Sequence, residues 1–454
     1  MELCSFITIN MSTLSCKLLT AALLLLFACN RKAYSQDPAT HYLTLPEVWK
    51  KAAEHNKQLQ MKYLHVQSMD ARIKNAKAEK LPEVKADGMY GRVSNLPIYE
   101  DGLLHAPAQY PVVHETYKFG ADAYWNVYNG GKTNREISMA QTEHALAQEQ
   151  QHLSEQEIRY KVAAYYLDIY RNRMYEKVML RDIADREQEL NEIRQLQKNG
   201  VVLKSDVLRA ELKLSKQKMT LLEIRNSIVI AVQRLNILTG DPDTTPVNIA
   251  MDTLALAASP ERTYEDYLND AYEHSFTMKI SEKETALSEL KLKQVKANVL
   301  PRVGLFAEYG YAYPQILFYP YSVALYGLGQ TGVKASLPIS AFYLNKHKKE
   351  EAALHLRQQE IEHADTRDQV REAVKAAYVR YTEALTRIQV ANDNIAQAQE
   401  NFRIVNNTYF NQLSLLTDLL DAETQLLQSR FDLTTAQVTA QLQYYQLLKA
   451  TGNL

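Results

Sequence analysis

Glycine and proline are scarce in this chain, 14 and 13 among 454 residues, and their scarcity leaves room for long uninterrupted helices. Cysteine is rarer still: Cys4, Cys16 and Cys29, all near the N-terminus. Charge of one sign is also missing, since 52 Lys and Arg face 53 Asp and Glu for a net charge of -1. That balance shows no nucleic-acid footprint, so nucleic acid is not expected among the partners. The apolar run Leu18 to Ala28 is too short to span a bilayer as a helix. Tryptophan (2) and phenylalanine (10) are far outnumbered by tyrosine (29), some of which clusters in short strand-like segments.

The apolar run follows Lys17 and ends in a polar exit, so residues 1–35 read as a secretory signal. Cleavage after Ala33-Tyr34-Ser35 would leave Gln36 first and a mature chain without cysteine, hence without disulfide or thiol chemistry. A second reading stays open: Leu26-Phe27-Ala28-Cys29 as a lipobox with Cys29 lipidated, although Phe27 fits it poorly. Met11 is a second candidate initiator, because the ten residues before it resemble no part of a signal. On every reading the protein leaves the cytoplasm.

What is present is a duplication. Ala52 to His55 (AAEH) matches Ala271 to His274 (AYEH), and Ala78 to Pro82 matches Ala297 to Pro301, both at an offset of 219. Ser205 to Glu211 matches Thr417 to Glu423, and Thr239-Gly240 matches Thr451-Gly452, both at 212. The offset falls by seven between the strand-like runs, so the first hairpin loop is seven residues longer. Constant offsets along both halves define a repeat over 36–240, a connector over 241–263 with three prolines, and a second repeat over 264–454.

Each repeat has the same order. A helix is predicted over Leu45 to Lys80, with Thr44 as N-cap and Leu81-Pro82 as its stop. Val84, Ala86, Gly88 and Tyr90 then alternate with Lys85, Asp87 and Met89, the period of a strand. A polar, proline-containing loop leads to a return strand with Phe119, Ala121, Ala123, Trp125 and Val127 on one face and Lys118, Gly120, Asp122 and Tyr124 on the other. Asn129-Gly130-Gly131 makes the turn that follows. The second repeat alternates likewise over Arg302 to Tyr311 and Gln330 to Leu337. Long helices follow at Lys132 to Asn199 and Asn345 to Thr408, returning at Ser205 to Leu238 and Thr417 to Thr451. Helices of roughly 100 Å pack lengthwise, as coiled coils.

Four strands with an apolar face and a charged face suit either a soluble sheet or a membrane barrel. In hydrocarbon the sheet has to close, which takes at least about eight strands, so other copies must supply the rest. Periodicity leaves the number of copies open.

In order and in duplicate, Trp125-Asn126-Val127-Tyr128-Asn129-Gly130-Gly131-Lys132, Leu337-Pro338-Ile339 and the paired Ser/Thr-Asp-Val/Leu-Leu-x-Ala-Glu segments resemble the outer membrane efflux protein (TolC) family. The resemblance runs from about Leu43 to Gly452 and departs at Phe342-Tyr343-Leu344-Asn345, where a glycine turn belongs. It implies a mainly α fold with a membrane β-barrel portion: a homotrimer whose α-barrel continues a twelve-stranded β-barrel seated in outer-membrane lipid. The implied role is a passive export duct in a tripartite efflux or type I secretion system, engaged by an inner-membrane pump through a periplasmic adaptor. No cofactor is implied.

The resemblance also places residues. Asp418 and Asp421 fall where an acidic ring guards the periplasmic entrance; helix capping is the plainer reading of Asp418. Asp206 is the first-repeat counterpart of Asp418, and Tyr409 matches a gate-latching position, while Ser414 replaces the latching arginine. Gly200, Val201, Val202 and Leu203, with Gln412, Leu413, Ser414 and Leu415, form hairpin tips that the resemblance makes adaptor-docking surfaces. Lys85, Asp87, Asp122, Arg302, Glu308 and Lys334 are expected to line the barrel, with signs too mixed for strong selectivity. Gly131-Lys132-Thr133 ends like a phosphate loop but lacks its first glycine, at Asn126, and reads as a strand-to-helix turn. The histidines lack metal-ligand spacing, and no catalytic constellation appears. The rival function is a secreted coiled-coil structural or adhesive protein without a pore, which has no use for the four strands.

Overall fold

The computed structural model describes residues 42–250, 262–315 and 319–454. The expected signal segment, with Cys29 and Ser35, and much of the connector lie outside the described residues.

Helix α1 (Leu45–His55) opens on Thr44, whose backbone N–H donates to Glu47 Oε2 at 2.7 Å. The predicted single helix is in fact broken at Asn56, and α2 (Lys57–Ala78) follows it. The reason is one side chain: Asn56 Oδ1 accepts from the backbone N–H of Gln58 and Leu59, while its Nδ2 donates to Leu238 O. An N-cap inside a helical pattern restarts the helix at a new angle. The second repeat breaks at Ser275, between α5 (Tyr264–His274) and α6 (Phe276–Lys296), at the same offset of 219.

The strands are β1 (Glu83–Arg92), β2 (Leu96–Ile98), β3 (Ala108–Tyr110), β4 (Glu115–Tyr128), β5 (Arg302–Tyr313) and β6 (Tyr326–Ser336). Four of them form one antiparallel sheet in the order β1-β4-β5-β6. Its register sets Lys85 opposite Asp122, Asp122 opposite Glu308 and Glu308 opposite Gln330. The loop after β1, read from sequence as irregular, holds the small hairpin β2–β3, and Pro97 is accommodated because β2 has only one neighbour. Both outer strands of the large sheet, β1 and β6, have a partner on one side only.

Long helices α3 (Lys132–Lys198) and α7 (Ala341–Phe410) contain 67 and 70 residues; their return partners α4 (Lys204–Thr239) and α8 (Leu416–Thr451) contain 36 each. Asn129 makes the first strand-to-helix turn, donating to Thr133 Oγ1 at 2.7 Å and accepting from Thr133 N. Lys132 Nζ is directed at Asn298 Oδ1, 2.5 Å away, so the Gly-Lys-Thr triplet is a turn here. The second turn has no positive-φ residue: Ser340 is right-handed (φ -64, ψ -22), and α7 begins four residues before its predicted start at Asn345.

Each helix pair packs along buried apolar seams, with Ile158, Val162 and Ile169 of α3 against Ala231 and Leu235 of α4 in one cluster. The two repeats meet through α3 and α8, where the Tyr175 and Phe431 rings lie 4.4 Å apart. The repeated sequence motifs explain each other. Gly240 (φ +76) ends α4 against His55, and Gly452 (φ +82) ends α8 against His274, so the Thr-Gly and Ala-x-Glu-His pairs form one contact, made twice.

Candidate channel wall and entrance

Strand alternation and register place Lys85, Asp87, Asp122, Arg302, Glu308 and Lys334 on one face of the sheet. A concavity of about 790 Å³ opens there, lined by Asp87, Asp122, Glu308, Gln330 and Lys334 among others. The opposite face leaves Val84, Tyr90, Phe119, Trp125, Leu305 and Val333 exposed. Among the described residues no helix is long and apolar enough to cross a membrane.

At the far end of the helices, two hairpin tips are built alike. Gly200 (φ +77) and Gln412 (φ +63) occupy the left-handed position of each turn. A glutamine there is the strained choice, and it is the one non-glycine with positive φ among the described residues. Val201 N–H donates to Leu196 O at 2.9 Å, and Leu413 N–H to Thr408 O at 2.8 Å. Asp206 Oδ2 then accepts from Leu203 N–H at 3.1 Å, and Asp418 Oδ2 from Leu415 N–H at 3.1 Å. Both aspartates therefore cap helices. Val201, Leu203, Leu413 and Leu415 are exposed, while Val202 packs against the buried cluster beneath the tips. Ser414 Oγ lies 3.2 Å from Thr408 Oγ1, a weak contact where the resemblance places an arginine.

The structure brings Asp206 of the first repeat near Tyr409 of the second. The Tyr409 ring is buried and its hydroxyl has no hydrogen-bond partner among the described residues; burial raises its pKa, and the Asp206 carboxylate raises it further. Asp418 and Asp421 lie one turn apart on the exposed side of α8. Asp421 makes no cap; its charge acts on Lys213 of α4.

One cluster escaped the sequence. Arg186 of α3 is ion-paired with Glu189 on its own helix and with Glu423 of α8. Asp182, one turn earlier, lies 3.9 Å from the guanidinium and accepts from Gln217 Nε2 of α4 at 2.5 Å. Glu423 and Asp182 are buried, and the Arg186 guanidinium stands over the Phe402 ring of α7. Burial pushes the Asp182 pKa up, against the pull of Arg186 and Arg430. Glu423 ends the repeated Ala-Glu segment, yet its counterpart Glu211 forms a half-exposed pair with Arg194 at 2.6 Å. No spacing rule separates these two roles; the only signal was an arginine, Arg186, within an apolar seam.

The chain is thus a duplicated unit of strand hairpin and long helix pair, with an apolar sheet face and two sheet edges unpaired within it. Residues 48–241 match the family described as outer membrane efflux protein. No curated protein matches the chain by sequence. The solved structure of VceC from Vibrio cholerae is similar at 18% identity, over 90% of this chain and 96% of that one, with a TM-score of 0.73. The CmeC outer membrane channel of Campylobacter jejuni is similar at 13% identity, over 90% and 85%, with a TM-score of 0.75. The open state of the MtrE outer membrane channel of Neisseria gonorrhoeae is similar at 18% identity, over 90% and 88%, with a TM-score of 0.73. At such identities the likeness carries the fold, mainly helical with a strand portion, along nearly the whole chain.

Proposed function

We propose that this chain is one subunit of an outer-membrane export channel, a passive duct that a pump elsewhere energises. The observation that carries it is the four-stranded sheet with exposed apolar residues on one face, mixed charge on the other and both edges unpaired within the chain. Open edges are not tolerated in hydrocarbon, so copies must join β6 to the next β1 until the sheet closes. Three copies give a twelve-stranded barrel, and the long helices continue its wall through the periplasm. The tips at Gly200–Leu203 and Gln412–Leu415 then face a periplasmic adaptor, and Asp206, Tyr409, Asp418 and Asp421 sit at the entrance. A secreted coiled-coil protein would leave the apolar sheet face without a purpose.

Purified protein added to a planar bilayer is expected to give stepwise, long-lived conductance. A detergent-free soluble monomer without conductance would overturn the reading.

A further inference from the structure

Where strands meet helices, the charge balance changes. Segments 74–82, 129–135, 290–302 and 337–349 hold twelve Lys and Arg against one acid, Glu79, in a chain that as a whole carries 52 Lys and Arg against 53 Asp and Glu. Hydrogen bonds tie these segments to one level. Trp125 Nε1 donates to Lys80 O (2.9 Å), Lys132 Nζ to Asn298 Oδ1 (2.5 Å), Asn298 Nδ2 to Asn345 Oδ1 (3.0 Å) and Asn345 Nδ2 to Val295 O (2.8 Å). The opposite, loop end of the sheet has the reverse character: segments 93–114 and 314–325 contain Glu100 and Asp101 and no Lys or Arg.

Beside this collar lies an apolar belt, with Ile339, Phe342, Tyr343 and Leu344 all more than 60% exposed. Between α6 and α7 the two features meet in a groove of about 670 Å³. Val299, Phe342 and Ala353 provide apolar lining, Lys296, Lys346 and Lys349 its cations, and Glu350 the single acid. Glu350 lies 3.4 Å from His347, and none of the three lysines forms an ion pair among the described residues. Aromatic and aliphatic side chains next to unpaired lysines are the chemistry of a bilayer interface.

We infer that this groove and the collar around it bind the headgroups of anionic glycerophospholipids in the periplasmic leaflet. The inference rests on the channel reading and goes beyond it, because closing a barrel requires lipid but no charge preference. Anionic lipid seated here would hold the barrel at a fixed depth and orientation, since the loop end offers no cation to compete.

The test uses the whole channel in vesicles of mixed phosphatidylcholine and phosphatidylglycerol, with retained lipid identified by native mass spectrometry after extraction. Wild type is expected to retain phosphatidylglycerol above its share of the mixture. Each collar lysine contributes about five-fold at low salt (about 1 kcal/mol). The variant Lys346→Gln/Lys348→Gln/Lys349→Gln should lose most of the enrichment, and the corresponding triple arginine variant should keep it. Wild-type conductance in phosphatidylcholine alone separates the two readings. Conduction without enrichment overturns the lipid site alone; absence of conduction and insertion overturns both. A glutamine variant that keeps full enrichment while its ion selectivity shifts would place the lysines in the lumen and also overturn the lipid site.

Discussion

Arg186 of the first repeat and Glu423 of the second form a buried ion pair that fastens the two helical hairpins just above their tips. Removing Glu423 takes the interhelical carboxylate from a guanidinium that keeps Glu189 and Asp182 on its own helix, whereas removing Arg186 leaves three acids without their cation, a loss of about 3–5 kcal/mol. Glu423→Ala should therefore lower the thermal midpoint in detergent, followed by circular dichroism. Arg186→Ala should lower it further. A Glu423→Ala midpoint equal to that of the wild type would show that the pair is not the fastening.

Asp182 predicts a pH dependence of the same region. Burial raises its folded pKa above the unfolded value, so its contribution favours folding below the ordinary carboxylate range and is lost as pH rises through the raised value. Facing it are Arg186 and Asp185 on α3, Gln217 and Lys213 on α4, and Arg430 on α8. Amide exchange around 182–190 should slow as pH falls toward the raised pKa, after correction for intrinsic rates. Asp182→Asn should flatten that response; an unchanged slope in the variant would assign it to another group.

The two acids of α8 should behave differently. Asp418→Asn and Asp421→Asn should each reduce the cation-to-anion permeability ratio, measured as a reversal potential across a salt gradient. Asp418→Ala should also cost about 1 kcal/mol of stability by removing the cap on Leu415 N–H, and Asp421→Ala very little. Unaltered reversal potentials would leave Asp418 as a cap and nothing more.

The closing contact of each repeat is sensitive to a single methyl group. A Cβ on Gly452 would fall 2.4 Å from His274 O, and one on Gly240 would fall 2.9 Å from His55 Cβ, both at positive φ. Either glycine changed to alanine should cost more than about 1 kcal/mol, with Gly452→Ala the worse because its neighbour is backbone. Thermal unfolding of the two variants side by side measures the order.

Much of this was legible in the residues. The duplication, the alternation of β1, β4, β5 and β6, the lengths of the four long helices and their turns all follow from local patterns. Even the glycine-free turn at Ser340 was accommodated, since a turn of this kind needs no left-handed residue. The helix break at Asn56 was not legible, because the amide that caps α2 also bonds Leu238, far along the chain. The short hairpin β2–β3 was hidden by Pro97.

Local physics, then, was readable in order along the chain: period two, period 3.6, a proline stop, a cap, and a repeat that writes each of them twice. Contacts between repeats were not, because Glu211 and Glu423 occupy the same place in the repeat while only Glu423 is buried beside Arg186. Burial depends on which helices a third element brings together, and that is a property of the packed fold. The gathering of lysines at one level is of the same kind: four separate segments had to meet at the end of the sheet before their charges made a collar.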